Sequence, residues 1–305
     1  MHRPVLLKEV LQFLDPHPGD FMIDGTIDGG NHAAAIMKKI LPGGKLLGVD
    51  WDEAMIARQK KSELANAGDG QAEGQAIFVH GNYADLPEIL LQRNLPAADG
   101  LLIDLGFSSE QLEARDSESG RGFSFSDASA DEPLLMTYAH SQTPVWKILR
   151  EIDEPALANI IYEFGGERFS RRIAKAIKER ERRKAIMTAG ELAETVREAL
   201  PANYEHGRID RATRTFQALR IYANDELKNL KKLLDELDEV VKPGGRVAVI
   251  SFHSLEDRIV KQAFQKLTKE GKAQLLTKKP AMATREEIQE NPRARSAKIR
   301  AHQMI

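Results

Sequence analysis

The chain has 305 residues, of which 42% are hydrophobic and 30% charged, with no cysteine and a net charge of −2. This composition is typical of a globular protein, and the length allows one large α/β domain with an insertion or two ordinary domains. Disulfides, thiolate metal sites and thiol nucleophiles are excluded because cysteine is absent. No apolar run approaches the roughly 20 residues of a membrane helix and no signal peptide is recognisable, so we expect a cytoplasmic protein without membrane contact.

Charge is divided unevenly along the chain. Residues 1–164 carry 13 basic and 26 acidic side chains, whereas residues 165–305 carry 31 basic and 20 acidic ones. A basic half favours a polyanion-binding surface, because Lys and Arg hold phosphates. Solvated helix faces with internal ion pairs would give the same count.

Short apolar runs alternate with helix-like segments over the first hundred residues. This rhythm predicts repeated βα units, a parallel sheet, and a ligand site in the loops after the carboxyl ends of the strands. The predicted strands are Phe21–Asp24, Lys45–Asp50, Ala76–His80 and Gly100–Leu105, and the predicted helices are 32–41, 52–67 and 84–93.

The rhythm stops after Leu105, and residues 112–241 have a helical pattern. We therefore expect an all-helical inserted domain over 112–241 and a main α/β domain formed by 1–111 and 242–305. Capping-box spacing of Thr188 and Glu191 predicts a helix over 189–200. A longer helix is expected over 212–241.

The sheet pattern resumes near the C-terminus. A buried strand is predicted over 246–252, followed by a helix over 255–267 with Ser254 and Asp257 as its N-terminal cap. Final strands are expected at 273–278 and 297–304, with a loop over 280–292.

The segment Ile23–His32 (IDGTIDGGNH) follows the first strand and opens a helix. Its small residues let the backbone approach a ligand, and Asp50, about 20 residues further on, is placed to accept ribose hydroxyls. These features indicate a nucleotide-like cofactor, although the spacing does not fit the nicotinamide fingerprint. Ordinary turn chemistry is the alternative.

Longer motifs run from end to end. Leu102–Gln111 (LIDLGFSSEQ) and Arg121–Phe125 (RGFSF) resemble the bacterial 16S ribosomal RNA cytosine-N4 methyltransferase family. The other similar segments are His2–Leu7 (HRPVLL), Gly166–Arg168 (GER), Arg211–Ile221 (RATRTFQALRI), Asn224–Leu227 (NDEL), Ser251–Lys261 (SFHSLEDRIVK) and Asn291–Lys298 (NPRARSAK).

The resemblance implies a class I, Rossmann-like methyltransferase sheet with the helical insertion, and S-adenosylmethionine as cofactor. The implied partner is 16S ribosomal RNA or the small ribosomal subunit, methylated at N4 of a cytidine in the decoding centre. No metal is expected, since the histidines are scattered. The oligomeric state stays open, a homodimer included.

The resemblance also implies site residues. Asp104 is the candidate acceptor for the amine hydrogens, and His253 and Ser254 are candidates to line the substrate pocket, with a purely capping role as the equal alternative for Ser254. The implied cofactor contacts are Gly30, Asn31, His32, Asp50, Tyr83, Asp104 and Gln111. The expected RNA contacts are Arg121, Arg171, Arg172, Arg214, Arg293 and Arg295.

Direct displacement by the exocyclic nitrogen needs positioning and no covalent intermediate. Methylation at cytosine C5 by the usual route needs a cysteine, so its absence argues against that chemistry. DNA amino-methyltransferases have a Pro-Pro-aromatic motif after the fourth strand, where this chain has Asp104–Phe107 (DLGF). RNA is therefore the preferred substrate over DNA.

Two departures from the family pattern leave alternatives open. Asp28 and Asn31 replace glycines in the cofactor loop, and Asn31 would tolerate a positive φ. Leu135–Tyr138 (LMTY) replaces an Asp-Met-Arg-Met sequence. A non-catalytic RNA-binding or ribosome-assembly factor is the second hypothesis, and a methyltransferase with another substrate is the third.

Overall fold

A computed structural model describes residues 4–61, 74–106, 120–126, 129–139, 141–201, 204 and 209–305. The chain divides into two compact units, one formed by Met1–Phe107 and Leu227–Ile305 and the other by Ser108–Glu226. Among the residues described, no helix is both long enough and apolar enough to cross a membrane.

The helices follow one another along the chain in this order: α1 Leu7–Leu14, α2 Asn31–Ile40, α3 Glu53–Gln59, α4 Leu86–Gln92, α5 Val145–Glu151, α6 Glu154–Gly165, α7 Ser170–Arg183, α8 Ala189–Ala199, α9 Thr213–Ala223, α10 Glu226–Asp235, α11 Leu237–Val240, α12 Ser254–Lys269 and α13 Arg285–Glu290. Short 3-10 turns cover Tyr83–Asp85 and Pro292–Ser296.

The first unit is built on one twisted sheet. Its strands are β1 Phe21–Asp24, β2 Lys45–Asp50, β3 Gln75–His80, β4 Ala98–Asp104, β5 Val241–Ser251, β6 Ala273–Leu275, β7 Ala281–Met282 and β8 Lys298–Met304. The order is β3-β2-β1-β4-β5-β8-β6, with β7 also paired to β8. The first five strands are parallel, and β8 is antiparallel to its neighbours. The predicted class I, Rossmann-like α/β sheet is confirmed.

Both faces of the sheet are covered, because alternate strand residues point to opposite sides. Leu102 and Met22 face one core with α1 and α2, whereas their neighbours Leu101 and Ile23 face the other core with α4, α10 and α12. This double burial makes the strands continuous apolar runs. It also leaves their carboxyl ends as the open edge of the sheet.

The long helix expected over 212–241 is wrong, because α9, α10 and α11 replace it. The break follows α9, where Asn224 is buried and Asp225 has a φ of 51°. Leu230, Leu233 and Leu234 then pack into the core of the sheet. Residues 227–241 therefore lie with the first unit, and the expected boundary at 241 moves to 226.

Residues 280–292, expected to be a loop, contain β7 and α13. The Thr284 side chain accepts a hydrogen bond from the Glu287 N–H at 3.2 Å, which caps α13. The Thr-x-x-Glu spacing in the sequence is typical of the start of a helix and therefore indicated α13. Strand β5 begins five residues earlier than predicted, with irregular pairing to β4 between Ala98 and Gly100.

Helices are the main regular elements of the second unit over the residues described, and an isolated antiparallel bridge joins Pro133 to Thr188. Helix α6 packs against α7 and α9, and α7 packs against α8. The capping box of Thr188 and Glu191 is confirmed, and the predicted 189–200 helix is observed as α8.

Candidate functional site

The loop after β1 is tied to the carboxyl ends of two neighbouring strands. Gly25 N–H donates to Leu102 O at 3.0 Å, and Ile27 N–H donates to Val49 O at 3.0 Å. The Thr26 hydroxyl accepts a 2.7 Å hydrogen bond from Asp104 N–H. These bonds gather the ends of β1, β2 and β4 around one loop.

Asp50, the last residue of β2, is the anchor of this site. Its Oδ2 accepts from Asp28 N–H at 2.9 Å and its Oδ1 accepts from Asp52 N–H at 2.8 Å. Burial raises the pKa of Asp50 to about 6, against the lowering effect of these two N–H donors. Each oxygen keeps a lone pair, so the carboxylate can also accept ribose hydroxyls.

Asp28 occupies a backbone position that suits glycine. Its φ is 43°, in the left-handed region that residues with a Cβ avoid. Asn31 is the first residue of α2 and has no positive φ, so its tolerance of that conformation is not used. The two left-handed residues of the loop are Asp28 and Gly30.

Gly30 is the N-cap of α2, with a φ of 76°. A Cβ there would lie 2.5 Å from the side-chain amide of Gln59. Gln59 is buried, and its Nε2 donates to Asp28 O at 3.2 Å. Gln59 was not among the predicted site residues, because an amide within a helix gives no sequence signal of its own.

His32 and Asp104 meet beneath the loop. His32 Nε2 lies 2.9 Å from Val5 O, and its Nδ1 lies 3.6 Å from Oδ2 of Asp104. Asp104 Oδ1 accepts from Gly106 N–H at 3.2 Å. Burial raises the pKa of Asp104, opposed by the neighbouring His32 and by the Gly106 N–H.

Asp24, the last residue of β1, was not predicted as a contact although it has the same strand-end position as Asp50 and Asp104. It is 1% exposed, and its Oδ2 has no hydrogen-bond partner among the residues that the structure describes. Burial raises its pKa, as do the charges of Asp104 and Asp50. The pKa of Asp28 is also raised, by burial and then by Asp50, Asp104 and Asp24.

These four carboxyl groups fit a cofactor with a positive charge and a ribose. A cation would offset their mutual repulsion and give the unpartnered Asp24 oxygen an interaction. An anionic dinucleotide or triphosphate would be repelled. The first turn of α2 has neither a side-chain cap nor an acidic residue, which favours a carboxylate of the ligand there.

Tyr83 and Gln111 are the remaining predicted cofactor contacts. Tyr83 begins the 3-10 turn after β3, and its Cβ lies 3.2 Å from where a Cβ on Gly25 would stand. Tyr83 therefore borders the loop. Gln111 lies outside the described residues.

His253 and Ser254 follow β5. His253, not Ser254, is the N-cap of α12, so the Ser254 cap expected from the sequence is wrong. His253 Nδ1 accepts from Glu256 N–H at 3.4 Å, and Glu256 Oε2 accepts from Phe252 N–H at 2.8 Å. His253 therefore holds the start of α12.

The predicted RNA-binding arginines fall into distinct environments. Arg121 donates to the backbone oxygens of Thr137 and Tyr138, and Arg214 donates to Gly166 O at 3.3 Å. Arg171 and Arg172 are exposed in the first turn of α7. Arg295 is exposed on the turn before β8, and Arg293 is half-buried there.

The segment Leu135–Tyr138, where the family pattern changes, is held within the second unit. Asn224 donates to Met136 O at 2.8 Å and accepts from Tyr138 N–H at 2.9 Å. The Tyr138 ring stacks on Phe123 with centroids 5.3 Å apart. These contacts give the segment a structural role in the absence of the Asp and Arg of the family pattern.

Comparison with known proteins identifies the family of this chain. The model of the MraW methylase family matches residues 1–305. Two similar proteins, both named ribosomal RNA small subunit methyltransferase H, come from Desulfosudis oleivorans (39% identical, covering 100% of this chain and 99% of the relative) and Syntrophotalea carbinolica (41%, covering 98% and 96%). A crystal structure of a SAM-dependent O-methyltransferase from Thermotoga maritima aligns with a TM-score of 0.43 and 9% identity, covering 100% of this chain and 66% of that one. On the family model and the two relatives, the chain belongs to the MraW methylase family.

Proposed function

We propose that this protein transfers a methyl group from S-adenosylmethionine to N4 of a cytidine in the decoding centre of small-subunit ribosomal RNA. S-adenosylmethionine is the methyl donor of the family. The observation that carries the proposal is the convergence of four carboxyl groups on one loop, the buried Asp24, Asp50 and Asp104 and the half-buried Asp28, because this donor is a cation that contains a ribose. The names of the relatives support small-subunit RNA as the acceptor.

The residues that would hold the cofactor have separate tasks. Asp50 accepts hydrogen bonds from the ribose, Asp24 and Asp28 face its positive charge, and the first turn of α2 takes its carboxylate. Bound there, S-adenosylmethionine supplies an activated methyl group. The protein has to bring the amine into line and keep water out.

Asp104 is the proposed proton acceptor. The cytosine nitrogen forms a bond to the methyl carbon as the carbon–sulfur bond breaks, and one amine proton then has to leave. Burial raises the pKa of Asp104, which makes it a stronger base than an exposed aspartate. His32, 3.6 Å from its Oδ2, orients the carboxylate.

Calorimetric titration with S-adenosylmethionine tests the cofactor assignment. We expect micromolar binding by the wild type, loss of binding in Asp50→Ala, and no change in Asp235→Asn, a matched control that removes an exposed carboxylate from α10. Absence of binding by the wild type would overturn the assignment. The same protein would then be tested as an RNA-binding assembly factor, the second hypothesis.

A further inference from the structure

The second unit contains a cavity of about 380 Å³ between α6 and the start of α7. It is lined by Asn159, Tyr162, Arg168, Phe169, Ser170, Arg171 and Arg172. No acidic side chain is among these described lining residues. A volume of this size is within the range of small-ligand pockets.

The three arginines differ from the other basic residues of α7. Further along the helix, Lys175 pairs with Glu179, and Arg180 and Lys184 pair with Glu191. Over the part of the chain that the structure describes, Arg168, Arg171 and Arg172 have no carboxylate partner. The internal ion pairs that would explain a basic helix are therefore confined to its later turns.

Nearby groups add to the positive potential of the cavity. Helix α7 begins without a side-chain cap and without an acidic residue in its first turn. Arg168 is stacked 5.0 Å from the ring centroids of both Phe169 and Tyr204, which fixes its guanidinium. Glu167 is fully buried, and its carboxylate accepts from the Tyr204 hydroxyl at 2.9 Å and from the Phe169 N–H at 2.7 Å.

Tyr162 provides a surface of another kind. It is 61% exposed, although most large hydrophobic side chains of the unit are buried. An exposed aromatic ring beside arginines is the combination that binds single-stranded nucleic acid, in which bases stack and phosphates meet cations.

We propose that this cavity is a nucleotide-binding site for single-stranded RNA. Backbone phosphates contact Arg168, Arg171 and Arg172, and one unpaired base stacks on Tyr162. The site deepens the proposed function and rests on it, since it gives the RNA substrate a point of attachment on the helical unit.

The test compares two pairs of arginines on the same helix. A fluorescein-labelled RNA oligonucleotide that contains the target cytidine is titrated against the full-length protein at several salt concentrations. Arg171→Ala/Arg172→Ala is expected to weaken binding about tenfold and to reduce the salt slope by about 1 to 2. The matched control, Arg182→Ala/Arg183→Ala, removes two exposed charges from the other end of α7 and is expected to change binding less than threefold. Equal losses in both pairs, or no loss in either, would overturn the proposal.

Stacking is tested separately. Tyr162→Ala is expected to weaken binding about tenfold, Tyr162→Phe to retain it, and Tyr222→Ala, which removes another exposed tyrosine of this unit, to leave it unchanged. If Tyr162→Ala binds the RNA as tightly as the wild type, a base does not stack on Tyr162. Calorimetry with S-adenosylmethionine distinguishes the two proposals. If the cavity does not bind RNA, the wild type still binds the cofactor and transfers the methyl group. If the protein is not a methyltransferase, the wild type shows neither cofactor binding nor methyl transfer, and the RNA titration still tests whether the cavity binds RNA.

Discussion

The backbone N–H of Asp28 donates a 2.9 Å hydrogen bond to Oδ2 of Asp50. One residue of the cofactor loop is thereby bound directly to the end of β2. The bond orients the carboxylate and also places the half-buried Asp28 side chain near the buried acids Asp24, Asp50, Asp52 and Asp104. Cofactor binding should therefore depend on the protonation of Asp50 and on the identity of residue 28.

The first prediction concerns pH. Burial raises the pKa of Asp50 from 3.8 to about 6, so between about pH 4 and 6 the folded, cofactor-free protein holds a proton that the unfolded chain has released. Its stability should therefore fall as pH rises through this window, by at most about 3 kcal/mol. Thermal unfolding at a series of pH values measures this fall, and Asp50→Asn should remove much of it.

Cofactor affinity should change in the opposite direction. The ionised Asp50 is the form that accepts hydroxyl hydrogen bonds, so S-adenosylmethionine should bind about tenfold more tightly at pH 7.5 than at pH 5. Calorimetry at both values, with Asp235→Asn as control, measures the ratio. Equal affinity at the two values would contradict the proposed role of Asp50.

The second prediction concerns Asp28→Gly. Glycine adopts a φ of 43° without strain, and the change removes a half-buried carboxyl group that is close to other acids, so the cofactor-free protein should become more stable by about 1 kcal/mol. The preference for S-adenosylmethionine over its demethylated product, whose thioether sulfur carries no charge, should also decrease. The reason is that one negative group near the sulfonium is lost. Differential scanning calorimetry and titrations with both ligands measure these effects.

Two controls separate backbone strain from charge. Asp28→Ala removes the carboxyl group but keeps a Cβ at positive φ, so it should alter ligand preference with less gain in stability. Asp15→Gly relieves a φ of 48° after α1 and should leave ligand preference unchanged. A ligand preference in Asp28→Gly equal to that of the wild type would exclude Asp28 from the site.

The third prediction concerns Asp104→Asn. An amide cannot accept the amine proton, so kcat should fall by about 10² to 10⁴ at saturating cofactor. Single-turnover methyl transfer measures this loss, and calorimetry checks that S-adenosylmethionine still binds. Full turnover at saturating cofactor would exclude Asp104 as the proton acceptor.

The fourth prediction concerns the start of α12. His253→Ala removes the N-cap, so the protein should lose about 1 kcal/mol of stability, whereas Ser254→Ala should lose little. Asn is a good N-cap residue, so His253→Asn should restore most of the loss. Thermal unfolding of the three variants gives the order, and a larger loss in Ser254→Ala would contradict the capping role of His253.

The sheet was predictable because strands buried on both faces form continuous apolar runs with acids at their ends. Asp50 was identified in this way, whereas Asp104 was implied by the family resemblance, and Asp24 has the same position at the end of a strand. The long helix was mispredicted because the apolar spacing continues past Asn224, while the break depends on contacts of its amide with Met136 and Tyr138, which are distant in sequence.

The details of the site were harder to predict from the sequence than the sheet was. Gln59 lies in a separate helix and meets the loop only after folding. The positive φ of Asp28 could be anticipated from the glycine that the family has at this position. Asn31 also replaces a family glycine and tolerates a positive φ, so the sequence did not distinguish the two positions. Within the described residues, Glu179 and Glu191 pair with Lys175, Arg180 and Lys184 and not with Arg171 or Arg172. This choice depends on which side chains are close in the folded protein, so a count of charges could not reveal it.

The most direct test of the central claim is nucleoside mass spectrometry after methyl transfer. Small ribosomal subunits that lack the modification are incubated with the protein and isotopically labelled S-adenosylmethionine, and the RNA fragment that contains the decoding centre is then isolated and digested to nucleosides. We expect label in N4-methylcytidine from the decoding centre, and at least about a hundredfold less of it with Asp104→Asn in the same reaction time. Label in 5-methylcytidine or in another nucleoside, or no label from a protein that binds the cofactor, would contradict it.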